Sequence, residues 1–227
     1  MTDTIGARMD VRQLLESVEM LSSLTDDEFE RLVGASTVID LERNDVIFRE
    51  HDAADDLYVI ASGRIAVTRD SIDGRESVLV LMERGDLIGE MPLFDGRSRS
   101  ALALALEPSS LVKVPYAPLR QAYDERPVLL WQVVELFALR LRSMDDALAD
   151  TMFLDVAGRT AKRLLELAGD RDEFQLPITQ EELARMVGAS RERVNKAISS
   201  FIRLGWLEQR DRTYQITNRP ALTQRSH

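Results

Sequence analysis

The chain has 227 residues, no cysteine, two histidines and a formal net charge of −10. The absence of cysteine excludes disulfides, thiolate zinc sites, cysteine-held iron–sulfur clusters and a cysteine nucleophile. With only His51 and His227, a metal site built from several histidines is excluded as well. No apolar run approaches the length of a membrane span and no signal peptide is recognisable, so we expect a cytoplasmic protein without membrane contact.

The charge is distributed unevenly along the chain. Residues 155–227 contain 13 lysines and arginines against 10 aspartates and glutamates, whereas the first 154 residues carry a net charge of −13. A DNA-binding segment joined to an acidic sensor has this distribution. The excess of three positive charges is compatible with DNA binding but does not by itself identify it.

The amino-terminal part changes its apolar period near Ser36. Segment 9–34 has the spacing of short helices, with Thr25 and Glu28 as a capping box and Gly34 expected to end the second helix. Beyond Ser36 the period becomes two, which predicts seven short strands: TVIDL, DVIF, LYVI, RIAVTR, ESVLVLM, ALALAL and SLVKV.

Turn residues separate these predicted strands, and the pair Asp73-Gly74 is typical of a tight hairpin. Strands so short and so closely spaced predict a compact antiparallel barrel or roll.

The segment IGEMPLFDGRSRSALALA, residues 88–105, interrupts the strand rhythm. Gly89 permits close backbone approach, and the residues from Glu90 onward fit one short helical turn whose free N–H groups favour an anion. Arg99 and Ser100 side by side can hold a phosphate, and the Glu90 carboxylate can hold a ribose hydroxyl. Taken alone, the segment favours an exposed loop with ordinary charges.

Residues 125–154 predict one long helix, with Pro127 in its first turn and no later proline or glycine. One set of its apolar residues alternates at spacings of four and three, which is the heptad pattern of two helices packed along their length: Leu130, Val134, Phe137, Leu141, Met144 and Leu148. A second set would pack on the helix's own domain: Leu129, Val133, Leu136 and Ala138. We therefore expect a homodimer seam, and a buried helix of a monomeric core is the alternative.

The carboxy-terminal part, 155–227, predicts small helices followed by a hairpin. Ranges 179–188 and 190–204 each begin with a capping hydroxyl and end at or next to a glycine, and four residues join the two helices. This arrangement is typical of a helix-turn-helix. The range 206–216 predicts a hairpin with Arg210-Asp211-Arg212 at its tip, which would make the domain a winged helix. A helical hairpin in a protein-binding domain is the alternative.

With both motifs placed, the chain resembles the CRP/FNR family of bacterial regulators, which includes the cyclic-AMP receptor protein and the fumarate–nitrate regulator. It is most similar to the cyclic-AMP receptor branch, including the actinobacterial members. The resemblance covers nearly the whole chain and is most specific in IGE…LF…RSA at 88–101, FLDVAGRTAKRLLELA at 153–168 and TQEELARMVGASRERVNKAI at 179–198.

The resemblance implies an α+β protein with three parts. Residues 1–124 would form a double-stranded β-roll of the cyclic-nucleotide-binding type. Residues 125–154 would form a dimerisation helix, and 155–227 a winged helix-turn-helix that binds double-stranded DNA. RNA polymerase would be a further partner. No cofactor, metal or catalytic residue is implied, and after these parts are placed no room remains for a catalytic domain, so we expect no enzyme.

The resemblance also implies roles for matching residues in the sensor. Gly89 would shape the turn, Glu90 would bind a ribose hydroxyl, and Arg99 and Ser100 would bind a cyclic phosphate. Arg140 matches a long-helix arginine that supports this site. A cyclic nucleotide is therefore the expected effector.

In the DNA reader, Arg191 and Glu192 match base-contacting positions, and Lys196 stands where the cyclic-AMP receptor has arginine. Arginine can bind a guanine edge with two hydrogen bonds, and glutamate can accept one from cytosine N4. The other expected contacts are hydroxyls at helix starts, for phosphate, and neighbours of the matched positions, which would adjust the operator sequence: Thr179, Ser190, Arg193 and Asn195.

Met144 and Asp145 depart from the pattern. In the cyclic-AMP receptors, hydroxyl or amide side chains at these positions recognise the adenine. Methionine offers a base only a weak sulfur acceptor, and Met144 also falls on the predicted seam. The phosphate and ribose half of the site therefore matches the family and the base half does not. Two alternatives follow: a regulator that binds cyclic AMP, or one of the same fold that uses another ligand or none.

Overall fold

The computed structural model describes residues 11–70, 76–176, 178–210 and 213–226. The chain divides into two compact units. The first unit is formed by the described parts of Met1–Asp70 and Leu79–Arg140, and the second by those of Ser71–Val78 and Leu141–His227. Among the described residues, no helix is both long and apolar enough to cross a membrane.

The first unit begins with helices. Residues 11–16 lie in helix α1, a 3₁₀ turn follows at Glu19–Leu21, and α2 spans Asp26–Ala35. The predicted capping box of Thr25 and Glu28 is present at the start of α2. The expectation that Gly34 ends this helix is wrong, because the Ser36 N–H still bonds the carbonyls of the last turn and the helix continues past the glycine.

Eight strands follow in the described residues: β1 Thr37–Leu41, β2 Val46–Phe48, β3 Asp56–Ser62, β4 Ile65–Asp70, β5 Glu76–Met82, β6 Leu87–Ile88, β7 Leu102–Ala105 and β8 Ser109–Pro115. Seven of them were predicted, and the two-residue β6 was not. They form two four-stranded sheets in the orders β1-β8-β3-β6 and β2-β7-β4-β5. The predicted antiparallel roll is confirmed by the β1–β8, β3–β8, β2–β7 and β4–β7 pairings. The predicted Asp73-Gly74 turn lies outside the described residues.

Strand β3 is buried on both faces because its alternate side chains enter two different cores. Leu57 and Val59 pack with the helices, whereas Tyr58 and Ile60 lie between the two sheets. This double burial explains why the strand reads as a continuous apolar run, and it fixes the roll against the helices that surround it.

Four helical segments complete or follow the roll: α3 Met91–Asp95, α4 Tyr116–Glu125, a 3₁₀ turn at Pro127–Leu129, and α5 Leu130–Phe153. The long helix predicted for 125–154 is present but begins five residues later, because Pro127 starts a separate 3₁₀ turn. Helix α4 was not predicted. It contains Pro118 in its first turn, where a missing N–H costs no intrahelical bond.

The second unit contains α6 Val156–Ala168, β9 Glu173–Gln175, α7 Gln180–Val187, α8 Arg191–Arg203, β10 Leu207–Arg210, β11 Thr213–Ile216 and α9 Arg219–Arg225. The predicted helix-turn-helix is confirmed as α7 and α8, and the predicted hairpin as β10 and β11. The hairpin tip at 211–212 lies outside the described residues. Strand β9, which pairs with β11, occupies a stretch expected to be a connection, and α9 was also not predicted.

The core of the second unit joins these elements. Leu183, Val194 and Phe201 from α7 and α8 are buried together with Leu164 of α6. Leu222 of α9 is fully buried as well. The two helices of the helix-turn-helix are therefore held by one apolar cluster, which leaves their polar faces to solvent.

Candidate ligand and nucleic-acid sites

Gly89 stands at the turn between β6 and α3. Its φ of +79° lies in the left-handed region that favours glycine. A Cβ placed on it would lie 2.4 Å from Nη1 of Arg99. Glycine is therefore required here for two reasons: it adopts the positive φ of the turn, and it leaves room for the Arg99 side chain.

Glu90 follows directly and is 1 % exposed. Its carboxylate accepts a hydrogen bond from Nη1 of Arg140, and Nη2 of the same arginine donates to the Leu87 carbonyl at 2.7 Å. Burial raises the pKa of the Glu90 carboxyl, and the Arg140 charge opposes that rise. Glu90 is thus held by an ion pair inside the first unit.

Arg99 is 3 % exposed, and protein groups bind both of its terminal nitrogens. Nη1 donates to the Gly89 carbonyl at 2.7 Å and to the Tyr116 hydroxyl at 3.2 Å. Nη2 donates to the carbonyl and to Oδ1 of Asp56 at 2.8 and 3.0 Å. The guanidinium also lies 4.4 Å from the centre of the Phe48 ring, at cation–π distance.

Asp56 was not among the predicted site residues, although its carboxylate is the counter-charge of Arg99. Its Oδ2 also accepts from Nζ of Lys113 at 2.9 Å, and it hydrogen-bonds the Tyr58 hydroxyl. Burial, with Asp56 adding to it, raises the pKa of Tyr58, and burial raises the pKa of Tyr116 to about 12. Both phenols therefore stay protonated and able to donate at neutral pH.

The Nε of Arg99 is buried and has no hydrogen-bond partner among the residues that the structure describes. Ser100, by contrast, is exposed, and its Oγ lies 3.7 Å from Sδ of Met91. The structure thus brings Gly89, Glu90, Arg99 and Arg140 together in the first unit, with Ser100 adjoining them on the surface. The two other predicted ligand contacts, Met144 and Asp145, are exposed and belong to the second unit.

Helix α5 carries a row of exposed apolar side chains. Five of the six predicted seam residues are 38–68 % exposed: Leu130, Val134, Leu141, Met144 and Leu148. The sixth, Phe137, is half-buried and packs edge-to-face on Phe94 with ring centres 5.7 Å apart. The second apolar set is mixed, since Leu129 and Val133 are buried, Leu136 is half-buried and Ala138 is exposed. So much exposed apolar surface on one helix is unusual for a monomer.

The helix-turn-helix is fixed by its caps. Thr179 Oγ1 accepts from the Glu182 N–H at 3.2 Å and completes a capping box at the start of α7. Gly188 closes α7 with a φ of +67°. The Ser190 hydroxyl accepts from the N–H of Arg193 and begins α8. The two predicted phosphate-contact hydroxyls are therefore used as helix caps.

The first turns of α8 present its charged residues to solvent. Arg191, Glu192, Arg193 and Lys196 are exposed, and the three cations have no ion-pair partner among the described residues. Asn195 is half-buried, and its Oδ1 has no hydrogen-bond partner in the described part of the chain. An exposed helix start with free guanidinium and amide groups can bind base edges and phosphates.

Two family models match the chain. A cyclic nucleotide-binding domain matches residues 38–126, and a Crp-like helix-turn-helix domain matches residues 158–225. The first match ends where α5 is about to begin, and the second covers α6 to α9 almost completely.

Similar curated proteins are transcription regulators. The CRP-like cAMP-activated global transcriptional regulator of Mycobacterium tuberculosis is 36 % identical over 195 residues, which is 83 % of this chain and 87 % of that protein. The cAMP-activated global transcriptional regulator CRP of Salmonella typhimurium is 30 % identical over 181 residues, covering 77 % of this chain and 86 % of the relative.

Solved structures of this type also match. FixK2 from Bradyrhizobium japonicum superposes with a TM-score of 0.76 at 22 % identity, over 85 % of this chain and 98 % of FixK2. The c-di-GMP responsive global regulator CLP of Xanthomonas campestris gives a TM-score of 0.72 at 26 % identity, over 85 % of this chain and 99 % of that one. With the β-roll and the helix-turn-helix in place, the chain therefore belongs to the CRP/FNR family of transcription regulators.

Proposed function

We propose that the chain is a homodimeric, sequence-specific DNA-binding regulator whose first unit binds a cyclic nucleotide. One observation carries the DNA-binding part of this proposal. Arg191, Arg193 and Lys196 lie exposed at the start of α8, and no carboxylate of the described residues forms an ion pair with them. Free cations on the first turns of a second helix suit entry into the major groove.

Selection from a random DNA library with the full chain tests sequence-specific binding. We expect a near-palindromic site, because two identical readers would enter successive major grooves roughly 34 Å apart. The enriched site should bind at least about a thousandfold more tightly than random DNA at the same salt concentration, the lower end of the usual range of specificity ratios. Failure to enrich any sequence would reject sequence-specific recognition.

The apolar row on α5 supports the homodimer. Leu141 and Leu148 stand on the predicted heptad seam and are exposed, and a partner helix would remove them from water. We expect light scattering to give twice the mass of one chain, and Leu141→Glu to give a monomer. Leu139→Glu is the matched control, since Leu139 is equally exposed but stands off the seam. Equal dissociation by both variants, or a monomeric parent, would contradict the seam.

Cyclic AMP is the proposed effector. The M. tuberculosis and Salmonella relatives are named as cAMP-activated. By the resemblance, Glu90 and Arg99 would contact the ribose and the cyclic phosphate. Calorimetric titration of cyclic AMP into nucleotide-stripped protein tests this directly, and we expect micromolar binding. Absence of heat at two temperatures would show that Met144 and Asp145 no longer support an adenine site.

The Xanthomonas regulator, described as c-di-GMP responsive, suggests a second titrant. If cyclic di-GMP binds and cyclic AMP does not, the effector differs and the DNA-binding proposal is unaffected. If neither binds and the ligand-free protein binds its operator well, DNA binding requires neither nucleotide. In that case Met144→Thr should weaken the ligand-free complex, because Met144 on the seam would favour the DNA-competent dimer. RNA polymerase as a partner and the cytoplasm as location belong to the same proposal.

A further inference from the structure

The pair of Asp56 and Arg99 occupies the place where an anionic ligand is expected. Arg99 is almost completely buried, and Asp56 engages its Nη2 through both the main-chain carbonyl and Oδ1. Nη1 is bound by Gly89 and Tyr116. A buried guanidinium requires a counter-anion, and here the protein supplies one from its own strand β3.

A carboxylate and a phosphate bind a guanidinium in the same way. Both offer paired oxygens to its planar N–H groups, and both neutralise its charge. A phosphate that binds Nε and Nη2 of Arg99 with two parallel hydrogen bonds must therefore take over an N–H group that now donates to Asp56. Because Nε is buried without a partner among the described residues, the present arrangement leaves the guanidinium incompletely satisfied.

Asp56 has other partners that would remain if Arg99 turned to a ligand. Lys113 donates to its Oδ2, and the Tyr58 hydroxyl bonds the same carboxylate. Lys113 is 42 % exposed, so the carboxylate has an accessible counter-charge. The exchange of anions at Arg99 would thus leave no unpaired charge in the interior, which is the condition for a reversible exchange.

We propose that Asp56 is an internal competitor of the nucleotide phosphate for Arg99 and thereby sets the affinity of the site. This inference rests on the proposed cyclic-nucleotide function. Asp56 acts through Arg99 and does not itself touch the ligand. Its removal leaves the buried guanidinium without a counter-anion until the phosphate arrives, so the ligand gains the free energy that the internal pair now takes.

Calorimetric titration of cyclic AMP into nucleotide-stripped full chains tests the inference in three proteins. Asp56→Asn should bind cyclic AMP at least tenfold more tightly than the parent. Asp55→Asn is the matched control: it removes the same charge one residue away, and the exposed Asp55 carboxylate has no partner among the described residues. The control should change affinity by less than twofold. In an Arg99→Gln background, Asp56→Asn should no longer tighten binding.

Each outcome decides a different point. If Asp56→Asn and Asp55→Asn tighten binding equally, the effect is one of net charge and the inference is overturned. Unchanged affinity in Asp56→Asn would overturn it as well. In those cases, binding of cyclic AMP by the parent protein would still support the proposed cyclic-nucleotide function. If no protein binds cyclic AMP, the proposed effector falls and the inference with it. Should Asp56→Asn fail to fold, Asp56→Ser keeps a hydroxyl acceptor for Arg99, and the same tenfold criterion applies.

Discussion

Charged side chains are concentrated in two places: the segment around Glu90 and Arg99, here called the cassette, and the start of α8. The two places differ in burial and in how the charges are paired. In the cassette, each charge is buried and has an internal partner, Arg140 for one and Asp56 for the other. On α8, Arg191 and its neighbours are exposed and unpaired within the described residues. A buried pair can accept a ligand only by exchanging partners, whereas exposed cations attract a polyanion at long range. The first arrangement suits a sensor and the second a DNA reader.

The largest expected effect comes from breaking the buried pair of the cassette. Arg140→Gln leaves the Glu90 carboxylate buried without its counter-charge, and should lower the free energy of unfolding at pH 7 by about 3 kcal/mol. Chemical denaturation of the full chain measures this. A loss below about 0.5 kcal/mol, the size typical of an exposed pair, would contradict the internal pairing.

The stability that Arg140→Gln loses should depend on pH. Burial holds the folded pKa of Glu90 above its unfolded value, and loss of Arg140 raises that pKa further. A carboxyl with a raised folded pKa contributes stability below the unfolded pKa and loses it as pH rises through the folded pKa. Arg140→Gln should therefore lose stability relative to the parent between pH 4 and pH 7. Adding Glu90→Gln should abolish that slope.

The second effect concerns the unpaired cations. Arg191→Ala should weaken operator binding by about 1–3 kcal/mol and relax the preference at one base pair. Arg203→Ala is the control, because Arg203 is also an exposed arginine but lies in the last turn of α8. Fluorescence anisotropy with operator and random DNA measures both. An equal loss on random DNA would make Arg191 a phosphate contact.

Asp155 is intermediate between the two regions, since it is exposed yet paired. It caps α6 through the Gly158 N–H at 2.8 Å and forms an ion pair with Arg225. These contacts lower the pKa of Asp155, the capping N–H contributing most. Asp155→Ala should cost about 1 kcal/mol of stability at neutral pH.

The sign for Asp155 is opposite to that for Glu90. A depressed folded pKa contributes stability above the unfolded pKa, which is lost as pH falls through the folded value. The difference between parent and Asp155→Ala should therefore shrink on acidification below about pH 4, the ordinary range of aspartate. Asp155→Asn keeps a capping oxygen and should cost less. A difference constant from pH 7 to pH 2 would refute the assignment.

The smallest effect on stability is expected at an uncharged position, Gly34, where only the backbone conformation matters. Gly34 lies inside α2, and a Cβ there would meet no atom within 4 Å. Gly34→Ala should stabilise the protein by about 0.5 kcal/mol, since glycine is disfavoured in helices. Gly188→Ala should destabilise it, because Gly188 has a positive φ. Thermal unfolding compares the two, and the same sign in both would contradict the backbone argument.

Local patterns in the sequence predicted most elements of both units. Period-two runs located seven strands, and capping residues such as Thr179 and Ser190 located the helix-turn-helix. Helix α4 was not predicted, and its Pro118 stands in the first turn, where a helix tolerates proline. Strand β9 is short, and it is stabilised by pairing with β11, which is distant in sequence.

The candidate site was predicted only in part. Glu90 and Arg99 lie in one segment with a recognisable pattern, and a resemblance could supply Arg140. Asp56 and Tyr116 reach Arg99 from strand β3 and from the start of α4, respectively, more than 15 residues away along the chain in both cases. Sequence spacing carries no signal for such contacts, since the roll brings them together. A charged residue at the start of a buried strand was the one available hint.

Helix α9 has a consequence for the order in which the parts of the protein can fold during synthesis. Leu222 is fully buried in the second unit, and Arg225 reaches back to Asp155 at the start of α6. The reader core therefore cannot close until residue 225 has left the ribosome, whereas the strands of the roll are all available after residue 115. A nascent chain would thus hold every strand of the roll well before it could close the core around the helix-turn-helix.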